Sequence, residues 1–183
     1  VIDHPNEPII SIPKGLIEGV ENVLQCQATT GCKNASLIQA TEQKGSEYFQ
    51  RVTNLTSNYY QEGSIWKANA SLRLTEYMVN PNILQNTCFR CKYFIGSKPY
   101  YSQPICIKII AADFCKNRMS NCRYPHPYDC NKYITCITVP VESTCQAGLH
   151  YLSNLDNCTG ACVYPDKANC SIGLLDGCDC KDI

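Results

Sequence analysis

The sequence predicts an all-β chain in two parts, a β-sandwich followed by a small cystine-rich module. Three observations carry this. Fifteen of the 183 residues are cysteine, near the density of a disulfide scaffold. They are unevenly spread: five fall in residues 1–110 and ten in 111–183. And the first part is a succession of short β-branched or alternating runs with turn signals between them. Cystine density rises about threefold at Ala111-Ala112-Asp113, so the boundary is expected there, giving 1–111 and 112–183. The first part is long enough for an apolar core. The second needs covalent staples.

The elements of the first part follow in order. "PIISIPKGLIEGVENVLQCQA" is β-rich, with a turn at Glu18-Gly19 and an apolar set Val23, Leu24 and Cys26. "SLIQATEQ" ends at Lys44-Gly45. "EYFQRVTN" is aromatic and β-branched. "ASLRLTEYM" alternates at Leu72 and Leu74, and "NTCFRCKYF" places Phe89, Cys91 and Tyr93 on one face. "QPICIKII" alternates at Ile105, Ile107 and Ile109. Residues 5–110 thereby resemble an immunoglobulin-like domain. "GVENVLQCQA" is similar to its strand B with Cys26, "CFRCKYF" to its strand F with Cys91, and "ASLRLTEYM" to its strand E. The resemblance implies a Cys26–Cys91 bridge between two sheets, with Phe89 where the family usually has a tyrosine. The chain departs from the family in lacking a tryptophan soon after Cys26, since Trp66 comes too late, and in carrying Cys32, Cys88 and Cys106.

The second part reads "FCKNRMSNCRYPHPYDCNKYITCITVPVESTCQAGLHYLSNLDNCTGACVYPDKANC". It resembles the peritrophin-A (type-2) chitin-binding domain over about residues 113–172. The six family cysteines are read as Cys115, Cys130, Cys136, Cys145, Cys158 and Cys170. The "PHPYDCNKY" segment, "CQAGLHY" and "CVYPDKANC" supply the other matches. The resemblance implies Cys115–Cys136, Cys130–Cys170 and Cys145–Cys158 bridges on a β-hairpin platform. Cys122 and Cys162 are extra to the six and would form a fourth bridge. Chitin is a polymer of N-acetylglucosamine, whose apolar C–H face suits an exposed aromatic ring and whose rim suits polar side chains. Tyr133, Tyr151 and Tyr164 stand at positions that commonly carry aromatics in this family. Tyr151 and Tyr164 are expected as exposed stacking rings, and Tyr133 is balanced between stacking and core. Asp129, Asn131 and Asn154 are the expected rim partners.

Composition bounds the partners. Lys+Arg and Asp+Glu are both 16, so no net charge or basic stripe tracks nucleic acid. No apolar run reaches the about 18 residues a membrane span needs. Five N-x-S/T sequons begin at Asn34, Asn54, Asn69, Asn157 and Asn169. With the cysteine load they imply a secreted, extracellular glycoprotein. The absence of a leader before Val1 is what removal of a signal peptide on export would leave. His4, His126 and His150 are too scattered for a metal site, and His126 is expected to be structural. Cys178 and Cys180 lack the further ligands of a zinc site and are expected in disulfides. No nucleophile motif, phosphate loop or carboxylate pair stands out, so neither catalysis nor a cofactor is expected.

The resulting expectation is a non-catalytic adaptor that joins chitin or N-acetylglucosamine oligomers to an unidentified protein or glycan ligand of the immunoglobulin-like domain. It resembles invertebrate secreted proteins that pair these two domains, some of them linked to innate immunity at mucosal surfaces. A structural protein of a chitin matrix and a defensive toxin or inhibitor are the competing readings. Fifteen cysteines cannot all pair within one chain. One thiol is therefore free or joins a second chain as a homodimer, with Cys88, Cys106, Cys178 and Cys180 as the ambiguous positions.

Overall fold

The computed structural model describes residues 5–31, 35–45, 48–154, 158–168 and 170. The readings made for Cys32, Cys178, Cys180, His4, Asn34, Asn157 and Asn169 lie outside them. Among the described residues the chain is all-β apart from two single-turn helices, α1 (Pro81–Leu84) and α2 (Pro165–Ala168). It divides into two compact units, Val1–Ile109 and Ile110–Ile183.

The first unit is a two-sheet sandwich. One sheet is β1 (Ile9–Ser11), β3 (Asn22–Thr29), β7 (Ile65–Leu74) and β6 (Thr56–Glu62), in the spatial order β1-β3-β7-β6. The other has the order β10-β8-β4-β5, from β4 (Gln39–Lys44), β5 (Gln50–Arg51), β8 (Thr87–Ile95) and β10 (Ile105–Cys106). A fifth strand, β9 (Lys98–Tyr101), also pairs with β8. Alternation sets the inner faces. Leu24, Cys26 and Ala28 of β3, Ala68, Ala70, Leu72 and Leu74 of β7, and Phe89, Cys91 and Tyr93 of β8 are all buried. They form one core with Ile38 and Ile107. Cys26 and Cys91 join the sheets across it. With no tryptophan against this bridge, small residues sit around it: Ala40 of β4 lies directly opposite Cys91.

Two expectations change here. The long run from Pro8 splits into β1, which pairs with β3, and β2 (Gly15–Ile17), which pairs with β11 (Lys108–Ile110). Pro13 stands between them and has no N–H to continue a ladder. Val23, grouped with Leu24 and Cys26 in the sequence, is 44% exposed, because neighbouring residues of a strand face opposite ways. Cys88 and Cys106, left open by the sequence, are bonded to each other, on paired positions of β8 and β10. The hairpins β6–β7 and β8–β9 each turn on two residues, Gly63-Ser64 and Gly96-Ser97. Both glycines have φ near +60°, the left-handed conformation that such tight hairpin turns require and that costs glycine nothing.

The second unit has a three-stranded meander, β12 (Cys122–Pro125), β13 (Lys132–Cys136) and β14 (Pro140–Thr144), and a hairpin, β15 (His150–Ser153) and β16 (Gly160–Val163). Its apolar interior is slight: Ile134, Tyr151 and Ala168 are its main buried carbon apart from cystine and Ile110. Among the described residues four disulfides supply the rest: Cys115–Cys136, Cys122–Cys158, Cys130–Cys170 and Cys145–Cys162. Closing loops of this length restricts the unfolded chain by about 3–4 kcal/mol per bridge.

The expected Cys145–Cys158 and Cys122–Cys162 pairs are therefore exchanged. Cys158 takes a positive φ of 47°, and its carbonyl accepts the Arg123 N–H at 2.9 Å. That seats Cys158 beside Cys122 at the start of β12. Cys162 lies on β16 opposite Tyr151, whose N–H donates to the Cys130 carbonyl, and its sulfur is bonded to Cys145. Cys162 thus takes the partner expected for Cys158, and Cys158 the partner expected for Cys162.

Candidate functional site

The first candidate cluster is the turn that feeds β13. Asp129 Oδ1 accepts the Asn131 N–H at 3.0 Å, and the Asp129 carbonyl accepts the Lys132 N–H. This is an Asx turn, in which the carboxylate mimics a backbone acceptor. Asn131 Nδ2 donates to the Leu149 carbonyl at 2.7 Å, and the Asn131 carbonyl accepts the Cys145 N–H at 2.7 Å. Two of the three polar residues expected as rim partners thus spend these groups on the fold. They fix the start of β13 and tie it to the approach to β15.

Tyr133 follows on β13. Its ring stacks on Tyr151, with centroids 4.9 Å apart and planes at 25°. The Arg123 guanidinium lies 5.4 Å from the Tyr133 ring centroid. Tyr133 remains half-buried. Tyr151 does not: it is 5% exposed, and its hydroxyl donates to the Arg123 carbonyl at 3.3 Å. Burial pushes the Tyr151 hydroxyl up from its ordinary range, against the lowering influence of Arg123. A side-chain carbon at Gly160 would overlap the Tyr151 ring, so the glycine opposite Ser153 leaves the space that the ring fills.

The expectation of Tyr151 as an exposed stacking ring is therefore corrected. On β15 its side chain faces the meander, and it is the largest apolar group in a unit with little other core. Tyr164 is the reverse case. It stands between β16 and α2, is 66% exposed, and is held through its own carbonyl, which accepts the Lys167 N–H at 2.9 Å. Asn154 is exposed. Its N–H donates to the Thr159 carbonyl at 2.8 Å and closes the β15–β16 hairpin.

The inner side of the meander holds a buried polar group. His126 is 1% exposed. Its Nδ1 accepts the Tyr128 N–H at 3.1 Å. Nε2 lies 3.1 Å from Glu142 Oε2, but off the hydrogen-bond axis, so the contact is mainly electrostatic. Lys132 Nζ donates to Glu142 Oε1 at 2.7 Å. Burial alone would raise the Glu142 pKa, but the contacts and charges of His126 and Lys132 reverse this and hold it below the usual carboxylate value. Among the described residues no group of histidine, cysteine and carboxylate is placed to hold a metal.

Missed by the sequence reading are the exposed apolar side chains Ile137, Val139 and Val141 around the β13–β14 turn, and Leu152 on β15. The pairing of Cys136 with Pro140 makes the middle of "CITVPVE" a turn and leaves its side chains outside.

The second unit is thus a cystine-braced meander and hairpin with the Tyr164 ring exposed at its edge. Residues 115–170 match the family of the chitin binding Peritrophin-A domain. The chain carries a peritrophin-A chitin-binding domain. The match spans the four disulfides described in the second unit. Within the peritrophin-A domain, Tyr133 and Tyr164 keep exposed ring surface and Tyr151 does not. No curated protein matches the chain. No described helix is long and apolar enough to cross a membrane.

Proposed function

We propose that this protein is a secreted, non-catalytic adaptor whose peritrophin-A domain holds chitin while its first unit recognises a second ligand. The family match over residues 115–170 carries the chitin half. Tyr164 is the main stacking ring, the exposed part of Tyr133 adds a second apolar surface, and Asn154 offers rim contacts. A chain without net charge binds a neutral glycan by stacking and hydrogen bonds, so retention depends little on salt. The two units are autonomous domains that divide near residues 111–112.

The recognition half is supported by topology. The orders β1-β3-β7-β6 and β10-β8-β4-β5, with a bridge from β3 to β8, correspond to the ABED and GFCC′ sheets of an immunoglobulin-like domain. Six disulfides among the described residues favour an oxidising, extracellular setting. Asn54 is exposed and Asn69 is half-buried on β7, which makes Asn54 the better glycan acceptor of the two. The test is retention of the full chain on chitin beads and its release by N-acetylglucosamine oligomers. Wash-through at any salt concentration would refute the chitin half and leave the recognition half standing.

A further inference from the structure

The outer face of the five-stranded sheet in the first unit carries an unusual cation. Arg90 points outward from β8, between the inward-facing Phe89 and Cys91. Its guanidinium lies 4.0 Å from the Phe49 ring centroid and 4.3 Å from that of Tyr101. The rings hold the plane of the guanidinium by cation–π attraction. Its Nε is buried without a hydrogen-bond partner. No carboxylate among the described residues pairs with it. A guanidinium fixed in this way keeps its charge, loses little freedom on binding, and offers a planar edge of donors matched to two oxygens of one anion.

Beside it lies an open groove of about 530 Å³, within the usual range for a small-ligand site. Pro99, Tyr100, Tyr101 and Pro104 give it apolar walls, and Lys98 adds a second cation. Lys98 Nζ sits 5.1 Å from the Tyr100 centroid. Glu7 is the one acid in the lining among the described residues. Lys92, in register with Tyr101 on the outer face, keeps the surroundings positive. Rigid ring and proline surfaces beside a planar anion clamp match the two sides of an acidic sugar. The C–H face lies on the apolar wall, and the carboxylate or sulfate meets the guanidinium.

We infer that this groove binds an acidic glycan, with Arg90 as the anion-binding residue and Tyr101 as the sugar platform. The inference rests on the reading of the first unit as a recognition domain and is independent of chitin. It is tested with the intact, oxidised full chain on surfaces coated with hyaluronan, which carries carboxylates alone, with heparin, which adds sulfates, and with poly-L-glutamate. The parent is expected to be retained on at least one of the two glycans and to be released as salt rises. Retention on both points to the carboxylate as the common anion, and on heparin alone to sulfate.

Arg90→Lys, which keeps the charge and loses the fork, should weaken binding at least tenfold. Lys98→Gln, an exposed position next to the Gly96-Ser97 turn, should weaken it severalfold. It tests the groove even where Arg90→Lys disturbs folding. Chitin retention of the same preparations should be unchanged, which separates failure of this inference from failure of the chitin reading. No retention on either glycan at low salt, or undiminished binding by both variants, would overturn the inference. So would poly-L-glutamate binding as tightly as the glycans, since the face would then take acidic peptide.

Discussion

Replacing Tyr151 with alanine should unfold the peritrophin-A domain before it affects any sugar contact. The ring is 5% exposed, so truncation removes almost its whole buried area, and large aromatic-to-alanine changes in a core cost about 3–5 kcal/mol. Two local terms belong inside that figure. The parallel stack on Tyr133 at 4.9 Å is worth about 1 kcal/mol beyond area. The hydroxyl bond to the Arg123 carbonyl, at 3.3 Å, is worth about 1 kcal/mol or less. Tyr151→Phe, which removes only the second, should therefore be mild. Gly160→Ala should approach the severity of Tyr151→Ala, because the added carbon would overlap the same ring. Hydrogen exchange resolved by mass spectrometry reads this unit separately: amides of Cys122–Pro125 and Lys132–Cys136 should lose protection in Tyr151→Ala, while β3 and β8 keep theirs. Parental protection in Tyr151→Ala, combined with lost chitin binding, would refute the core assignment and restore Tyr151 as a contact residue.

Other expectations follow from the same geometry. Tyr164→Ala, at an exposed ring, should cut chitin retention by about tenfold, a stacking contribution of about 1–3 kcal/mol by analogy with ring–base stacking, without changing thermal stability; unaltered retention counts against the ring. Glu142 has its folded pKa below its unfolded value, so the stability it lends is present above the unfolded pKa and lost as pH falls through the folded one; acid titration of the melting of this domain should show that loss, and Glu142→Gln should flatten it. Non-reducing peptide mapping should recover Cys145 linked to Cys162 and Cys122 linked to Cys158; the exchanged pairs would contradict the hairpin as described. Removing Cys122 and Cys158 together should cost about 4 kcal/mol for a loop of this separation, measured as a fall in urea midpoint of the second unit.

What was legible in the sequence was whatever alternation or cystine spacing carried. β3, β7 and β8 bury every second residue against one core, and that period of two is visible without a structure. β6 and β9 were not read, since Thr56–Glu62 and Lys98–Tyr101 have no fully buried residue and therefore no apolar stripe. Cys158 and Cys162 are four residues apart on the two sides of a strand start, and spacing alone does not choose between them. The choice is made by the left-handed turn at Cys158. The role of each tyrosine was the least legible feature. Tyr151 and Tyr164 are alike in composition and close in sequence, but one faces the meander and the other leaves the end of a strand. Asp129 and Asn131 similarly look like sugar ligands until their partners are known to be backbone groups.

The most direct test is retention of the oxidised full chain on chitin beads in low and high salt. Retention is expected in both, with release by N-acetylglucosamine oligomers and an about tenfold cut on Tyr164→Ala while the four described bridges of the second unit stay intact. A natively bridged parent that washes off chitin at low salt would contradict it.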